Sequence, residues 1–245
     1  MHAVILAGGK GTRLRPYTTC VPKPLVPIGD TYSILEIVLY QLRAHGFARV
    51  TLAIGHMGHL IRAFVGDGSR YGLNVDYTDE PTPLGTIGPV LNLLSDLPEH
   101  FLIMNGDVLT DLDYGAFLRR HMQAPAPVTV ATYRREIRSE FGVLGVDDSG
   151  KHIVTFREKP SVPFQVSMGV YAMTRATLNR YQPGQVLGFD TLILDLLAAG
   201  EQPGSDPFSG YWLDIGRPED YDTANEQWHT MQHVLLPHLN PSAAD

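Results

Sequence analysis

The chain has 245 residues, 44% hydrophobic and 18% charged, with a formal net charge of −7. That length and apolar fraction can bury one large core without a second domain, and the acidic balance argues against nucleic acid as the main partner, because phosphate backbones select basic surfaces. A single cysteine, Cys20, excludes an internal disulfide and fits a reducing compartment. No apolar run has the length of a bilayer span. Met1-His2 enters an apolar run with no basic stretch ahead of it, so the expected setting is cytoplasmic, with no membrane partner.

The first apolar run, His2-Ala3-Val4-Ile5-Leu6-Ala7, reads as a buried strand. It feeds directly into Gly8-Gly9-Lys10-Gly11-Thr12-Arg13-Leu14-Arg15-Pro16, and Pro22-Lys23-Pro24 follows shortly after. Glycines at 8, 9 and 11 let backbone N–H groups approach an anion closely, and Arg13 and Lys23 bring full positive charge to the same place. Two other phosphate loops are excluded. Lys10 is followed by Gly11 where a Walker A loop needs Ser or Thr, and Leu14 stands where a dinucleotide fingerprint needs its third glycine.

Further strands are expected at 49–54, 73–77, 101–104 and 127–133, and helices at about 57–65 and 87–95. Ile34, Leu35, Val38, Leu39 and Leu42 recur at helical spacing, with Gly46 as the stop. This alternation predicts an α/β fold, a mostly parallel Rossmann-like sheet with helices on both faces, and ligands in such sheets bind beyond the carboxyl ends of the strands. The second half reads differently: strands near 143–147, 152–157, 166–173 and 208–213, then helices at about 189–199 and 217–233. We read residues 1–236 as one domain in two halves, the first to about 125 and the second, strand-rich, from about 126. Residues 237–245 are expected to form a tail.

The opening block, with Leu84-Gly85-Thr86-Ile87-Gly88, Asn105-Gly106-Asp107, Glu158-Lys159-Pro160 and Trp212-Leu213-Asp214-Ile215-Gly216 in that order, resembles the sugar-1-phosphate nucleotidyltransferases. Within that family it is similar to the short mannose-1-phosphate and heptose-1-phosphate guanylyltransferases. The resemblance implies attack by a sugar 1-phosphate oxygen on the α-phosphorus of a nucleoside triphosphate, releasing pyrophosphate. The attacking phosphate has a second pKa of about 6 and needs no general base. It needs positioning and cancellation of charge, so the lack of a Ser–His or paired acid/base constellation is expected.

Arg13 is the first catalytic candidate, because a guanidinium grips phosphate oxygens bidentately. Lys23, fixed between two prolines, is the second. The strand end and loop, Leu6, Ala7, Gly8, Gly9, Gly11 and Thr12, would bind the nucleotide. By the resemblance, Asp107 and Asp214 hold Mg²⁺, and Asp107 also serves the sugar phosphate. Magnesium takes only one or two protein carboxylates. Glu80, with Gly85 and Thr86, resembles the base-binding segment. A carboxylate suits guanine's two adjacent donors, so Glu80 favours GTP, with Asp79 as the alternative acid. Gly142, Glu158 and Lys159 would meet the sugar and its phosphate. Ser167 stands where relatives commonly carry asparagine, which implies a differently bonded sugar pocket and admits a heptose.

The expected activity is a guanylyltransferase serving capsule or lipopolysaccharide precursors. A glucose-1-phosphate thymidylyl- or uridylyltransferase and an inactive nucleotide-sugar-binding subunit are the alternatives. His56 and His59, a helical turn apart with no third ligand in pattern, are expected to be surface histidines, and Trp212 is expected to pack in the core. Trp228, Met231, Val234 and Leu235 fit either a dimer face or a seal for the last helix, which leaves a homo-oligomer open.

Overall fold

The computed structural model describes residues 1–123 and 126–239. The expected boundary near 125 and residues 240–245 of the expected tail lie outside them. The chain runs β1 (His2–Ala7), β2 (Pro27–Ile28), β3 (Tyr32–Ser33), α1 (Ile34–Ala44), β4 (Arg49–Ile54), α2 (Gly58–Val65), β5 (Asn74–Asp79), α3 (Gly88–Leu91), β6 (His100–Asn105), β7 (Val108–Thr110) and α4 (Tyr114–Gln123). It continues with β8 (Val128–Arg138), β9 (Val143–Val146), β10 (Ile153–Arg157), β11 (Ser161–Thr174), α5 (Phe189–Ala198), β12 (Gly204–Phe208), β13 (Trp212–Asp214) and α6 (Pro218–Leu235).

Seven strands form one sheet in the order β12-β8-β11-β6-β1-β4-β5. β1 pairs in parallel with β4 and β6, β4 with β5, and β12 with β8, while β11 runs antiparallel to both its neighbours. The sheet is therefore mostly parallel and flanked by helices, as the alternation predicted. Along β1, Ala3 and Ile5 point into a cluster with Leu35, Val38, Leu42 and Phe117, whereas Val4 points to the other face with Val90, Ile103, Leu192 and Leu196. Covering both faces buries every side chain of a central strand, which is why these strands read as unbroken apolar runs.

α1 starts where Ser33 and Glu36 form a reciprocal cap: Glu36 N–H donates to Ser33 Oγ (3.3 Å) and Ser33 N–H to Glu36 Oε2 (3.0 Å). Its buried Gln41 donates to the carbonyls of Thr110 (2.8 Å) and Leu235 (3.1 Å), tying α1 to β7 and α6. Under α6, Trp228 and Leu235 close a third cluster with Leu14, Ile28, Ile34 and Ile215, while Val234 faces outward. Trp228 thus seals its own chain. No helix among the described residues is long and apolar enough to cross a membrane.

Several boundaries differ from the sequence expectation. The strand expected at 208–213 is two, β12 and β13. Tyr211 between them is drawn onto β7, its N–H donating to Asp111 Oδ1 (2.7 Å) and its carbonyl accepting from Thr110 Oγ1 (2.7 Å). The helix expected over 87–95 is α only from Gly88 to Leu91. α4 was not expected, although Tyr114, Phe117, Leu118 and His121 bury one helical face and Asp113 Oδ1 accepts the Ala116 N–H (2.8 Å). β8 and β11 run beyond their expected ends, pairing as a long ribbon whose outer halves leave the core and carry the exposed β9–β10 hairpin.

Candidate active site

The carboxyl ends of β1, β4, β5 and β6 lie along one edge of the sheet, and the chain leaves each at Gly8, Gly55, Glu80 and Gly106. Backbone bonds lock these exits together: Gly106 N–H donates to Leu6 O (3.0 Å), His56 N–H to Gly8 O (3.2 Å) and Glu80 N–H to Ile54 O (2.8 Å). The loop after β1 turns at Gly11, whose φ of 60° is left-handed and costs glycine little. Thr18 Oγ1 donates to Gly11 O (2.7 Å) and holds the turn.

Two adjoining cavities open on this edge. The smaller, about 210 Å³, is lined by Leu6, Ala7, Gly9, Gly11, Thr12, Arg13, Lys23, Asp107 and Gly216 among others. The larger, about 750 Å³, shares Leu6, Gly9 and Asp107 and adds Gly8, Lys10, His56, Glu80, Gly85 and Thr86. The fold therefore collects the nominated loop, cations and Asp107 in the first cavity and the nominated base-binding segment in the second.

Within the smaller cavity Lys23 Nζ forms an ion pair with Asp107 Oδ2. Both side chains are largely withdrawn from water, 11% and 23% exposed, so solvent screens the pair less than a surface bridge. Asp107 Oδ1 is buried and has no hydrogen-bond partner. A buried carboxylate oxygen without a donor carries a desolvation cost, which a bound cation would offset.

Asp214 lies beside them. β13 pairs with β7 so that Asp214 sits opposite Val108, and Ile215 N–H donates to Asp107 O (3.1 Å). Burial, then the neighbouring Asp107 charge, push the Asp214 carboxyl above its ordinary range; Lys23 and Arg13 oppose this. The turn that follows is fixed by Asp220 Oδ2, which accepts the N–H groups of Gly216 (3.1 Å) and Arg217 (2.8 Å). Arg13, Lys23, Asp107 and Asp214 therefore converge. Among the described residues no group of three His, Cys, Asp or Glu stands at metal-binding range. Two carboxylates, one with an unpartnered oxygen, nevertheless fit Mg²⁺, which keeps most of its shell for water and phosphate.

In the larger cavity Glu80 does two things. Its Oε1 accepts the Leu84 N–H (2.6 Å), which fastens the 84–88 loop, and its Oε2 lies 2.5 Å from where a β-carbon on Gly8 would stand. Oε2 is therefore the freer of the two oxygens for a ligand. Asp79, the alternative acid, is exposed and pairs with Arg62 at 3.0 Å; it lines neither cavity. The loop is held from its other side by Leu187, whose N–H donates to Leu84 O and whose carbonyl accepts from Ile87 and Gly88.

The expected sugar-binding residues are less gathered. Gly142, Glu158 and Lys159 are exposed and line neither cavity. Ser167 is closer: its Oγ donates to the Tyr171 hydroxyl (3.1 Å), and that phenol, raised by burial, also feels Asp107 and Asp214. The β8–β11 pairing shifts register between Ser167 and Tyr171, a bulge that re-aims side chains beside a site. Sequence reasoning missed Tyr171 as a neighbour of the acids, because aromatics in apolar strands carry no such mark. His56 and His59 are exposed, and only His59 lies on α2. Trp212 is half-buried against Tyr133 and Arg135, its Nε1 donating to Met168 O (3.1 Å). Cys20 is exposed.

Relatives include a UTP–glucose-1-phosphate uridylyltransferase of Synechocystis, 32% identical over 96% of this chain and 63% of its own. A mannose-1-phosphate guanylyltransferase of Mycobacterium tuberculosis is 33% identical over 90% and 62%. The chain thus spans less than two thirds of the length of these curated relatives. The crystal structure of HddC from Yersinia pseudotuberculosis superposes with a TM-score of 0.71 at 27% identity, covering 93% of this chain and 99% of that one. The same protein complexed with GMP-PN gives 0.69 at 26%. A glycine cradle at a strand tip, cations beside it and two acids across from it fall inside residues 2–231, the span that matches the nucleotidyl transferase profile, and the chain belongs to that family.

Proposed function

We propose that the chain transfers a nucleoside monophosphate, GMP from GTP by preference, to a sugar 1-phosphate of mannose or heptose type, releasing pyrophosphate. The observation that carries this reading is the meeting of Arg13, Lys23 and Asp107 in the lining of the glycine-loop cavity, with Asp214 close enough to feel all three charges. A non-bridging oxygen of the sugar phosphate forms the new bond to the α-phosphorus as the bond to the bridging oxygen of the β-phosphate breaks. The electron pair leaves with pyrophosphate. Arg13 would grip the departing oxygens bidentately and Lys23 would meet the α-phosphate as a point charge. Both act as prepositioned charge, the usual large term in such reactions. Asp107 and Asp214 would hold Mg²⁺, which when bound supplies further charge neutralisation. Within this reading Glu80 Oε2 accepts from guanine, Ser167 and Tyr171 border the sugar, and the setting is cytoplasmic, where nucleoside triphosphates are made.

A second reading within the class, a uridylyl- or thymidylyltransferase, is favoured by one observation: half of the Glu80 carboxylate is already committed to Leu84. Pyrophosphate release assayed across four triphosphates, each with mannose, heptose and glucose 1-phosphates, separates the two. Highest kcat/KM with GTP supports the proposal; a higher value with UTP or dTTP replaces it with the second reading.

A further inference from the structure

Lys23 occupies an acid that a divalent cation would need. Its amine forms the ion pair with Asp107 Oδ2, while Asp107 Oδ1 is buried and has no partner. The backbone fixes where the amine starts from. Lys23 lies in a short turn between Pro22 and Pro24, closed by Val26 N–H donating to Lys23 O (3.1 Å). Asp214 feels Asp107 and Lys23 with opposite sign. Among the described residues no third His, Cys, Asp or Glu joins these two acids. A dication reaching the empty site therefore finds two carboxylates, one of them already engaged by a positive charge. Lys23 does part of what a cation would do there, offsetting the repulsion between two acids in a partly desolvated cavity.

We propose that Lys23 gates this cation site: it holds Asp107 while no nucleotide is bound and releases it when the α-phosphate of a nucleotide draws the ammonium away. The site then accepts a divalent cation tightly only together with nucleotide. The inference rests on the proposed function, which sets Lys23 against the α-phosphate and Asp107 and Asp214 around Mg²⁺. An ammonium on a flexible stem can turn its donors from carboxylate to phosphate while its backbone stays still. It has an anionic partner in both positions, so the turn leaves no buried charge unpaired. Asp107 Oδ2 becomes free as phosphate oxygens arrive to complete the shell of the cation. An ammonium bonded to the same carboxylate as a dication lies within about 6 Å of it, and that repulsion alone weakens binding roughly tenfold even at the dielectric of water. By linkage, nucleotide and cation then strengthen each other's binding by one common factor.

Mn²⁺ titrations of the full chain, read from the loss of the free-ion electron paramagnetic resonance signal, test this without any turnover. Lys23→Met keeps the stem and removes the charge, and Lys23→Gln leaves a neutral donor; circular dichroism checks that both are folded. With Mn²⁺ alone, both variants should bind at least about tenfold more tightly than the wild type, and adding Asp107→Asn should abolish the gain. In the unmodified chain GMP, which brings only an α-phosphate, should tighten Mn²⁺ binding, and in the lysine variants it should do so by a smaller factor. Equal or weaker Mn²⁺ binding in both lysine variants overturns the gate while leaving the cation site in place. So does a gain that survives Asp107→Asn, which puts the ion elsewhere, and so does a GMP effect of the same size with and without the lysine. Absence of Mn²⁺ binding in every form, with or without GMP, overturns the gate together with the assignment of Asp107 and Asp214 to a cation, and the pyrophosphate assay then judges the transferase reading separately.

Discussion

The floor of the crevice and the hairpin lobe are built from the same chain on different terms. On the floor Asp107 follows β6, a strand buried on both faces, Asp214 ends β13, and Arg13 and Lys23 stand in tight turns of the chain that follows β1. Lys23 and Asp107 are paired, Asp214 is locked beside them by the β7–β13 ladder, and the glycine loop is tied down by Thr18. In the lobe, Gly142, Glu158 and Lys159 lie on backbone exposed on both faces. Groups meant to stabilise developing charge gain from being fixed in advance, while a surface that receives a sugar or a partner can be completed by what it binds. On the proposed function, the floor would carry the chemistry and the lobe the selection.

The most severe way to break the comparison is to disturb the floor. Asp107→Ala removes the Lys23 partner and one of the two proposed cation ligands. Turnover should fall by about 10³-fold while the far-ultraviolet circular dichroism is kept; an unchanged rate in the pyrophosphate assay would remove Asp107 from the mechanism. Next comes the support behind the floor. Trp228→Ala opens the cluster that backs Leu14 and Ile28 and should cost about 3–5 kcal/mol, read as a lower urea midpoint. An equivalent truncation in the lobe, Ile153→Ala, should cost under 1 kcal/mol, since its side chain is already exposed.

Acid sharpens the contrast. His2 bonds to Thr51 and His121 to Thr129, both buried, and burial holds each at about 4 against an ordinary 6.5. The unfolded chain takes up these protons first. Their stabilisation is therefore fully present above pH 6.5 and is lost as pH falls towards 4, at about 2 kcal/mol per histidine between pH 6.5 and 5. The raised Asp214 carboxyl acts in the opposite direction at lower pH. The Asp147–His152 contact of the lobe, with its histidine open to solvent, contributes nothing comparable. Urea midpoints at pH 7 and 5, with His121→Gln reducing the difference, check this; a flat profile would contradict it. The smallest effect belongs to Glu80→Gln. An amide oxygen can still accept the Leu84 N–H, so only the ligand-facing atom changes, and the preference for GTP over UTP in kcat/KM should fall about tenfold. An unchanged ratio would mean that backbone groups of the 84–88 loop read the base.

Much of the floor was legible in the sequence because its signals are local. An apolar run ending in three glycines, or a lysine between two prolines, announces its geometry within a few residues. What could not be read is pairing at a distance. Lys23 and Asp107 are separated by 84 residues, and no spacing rule joins them; the parallel order of β1 and β6 does. Gln41, which stitches α1 to β7 and α6, has no pattern of its own. α4 is marked by Asp113 followed by apolar residues at helical spacing, an ordinary start signal, but the run Arg119-Arg120-His121 blurs that period in its second half. The lobe misleads in the other direction. Val143, Leu144, Val146, Ile153 and Phe156 read as any buried strand pair does, because apolar strands carry the same pattern whether or not a layer of their own chain covers them.

The central claim is that Lys23 and Asp107 act as one unit at the reaction centre. A double-mutant cycle measures it directly, with kcat for Lys23→Ala, Asp107→Ala and the pair in the pyrophosphate-release assay with GTP and a sugar 1-phosphate. The account predicts that the double variant is no slower than the worse single variant, because either loss already dismantles the pair. Losses that multiply in the double variant, or single variants that both keep the wild-type rate, would contradict it.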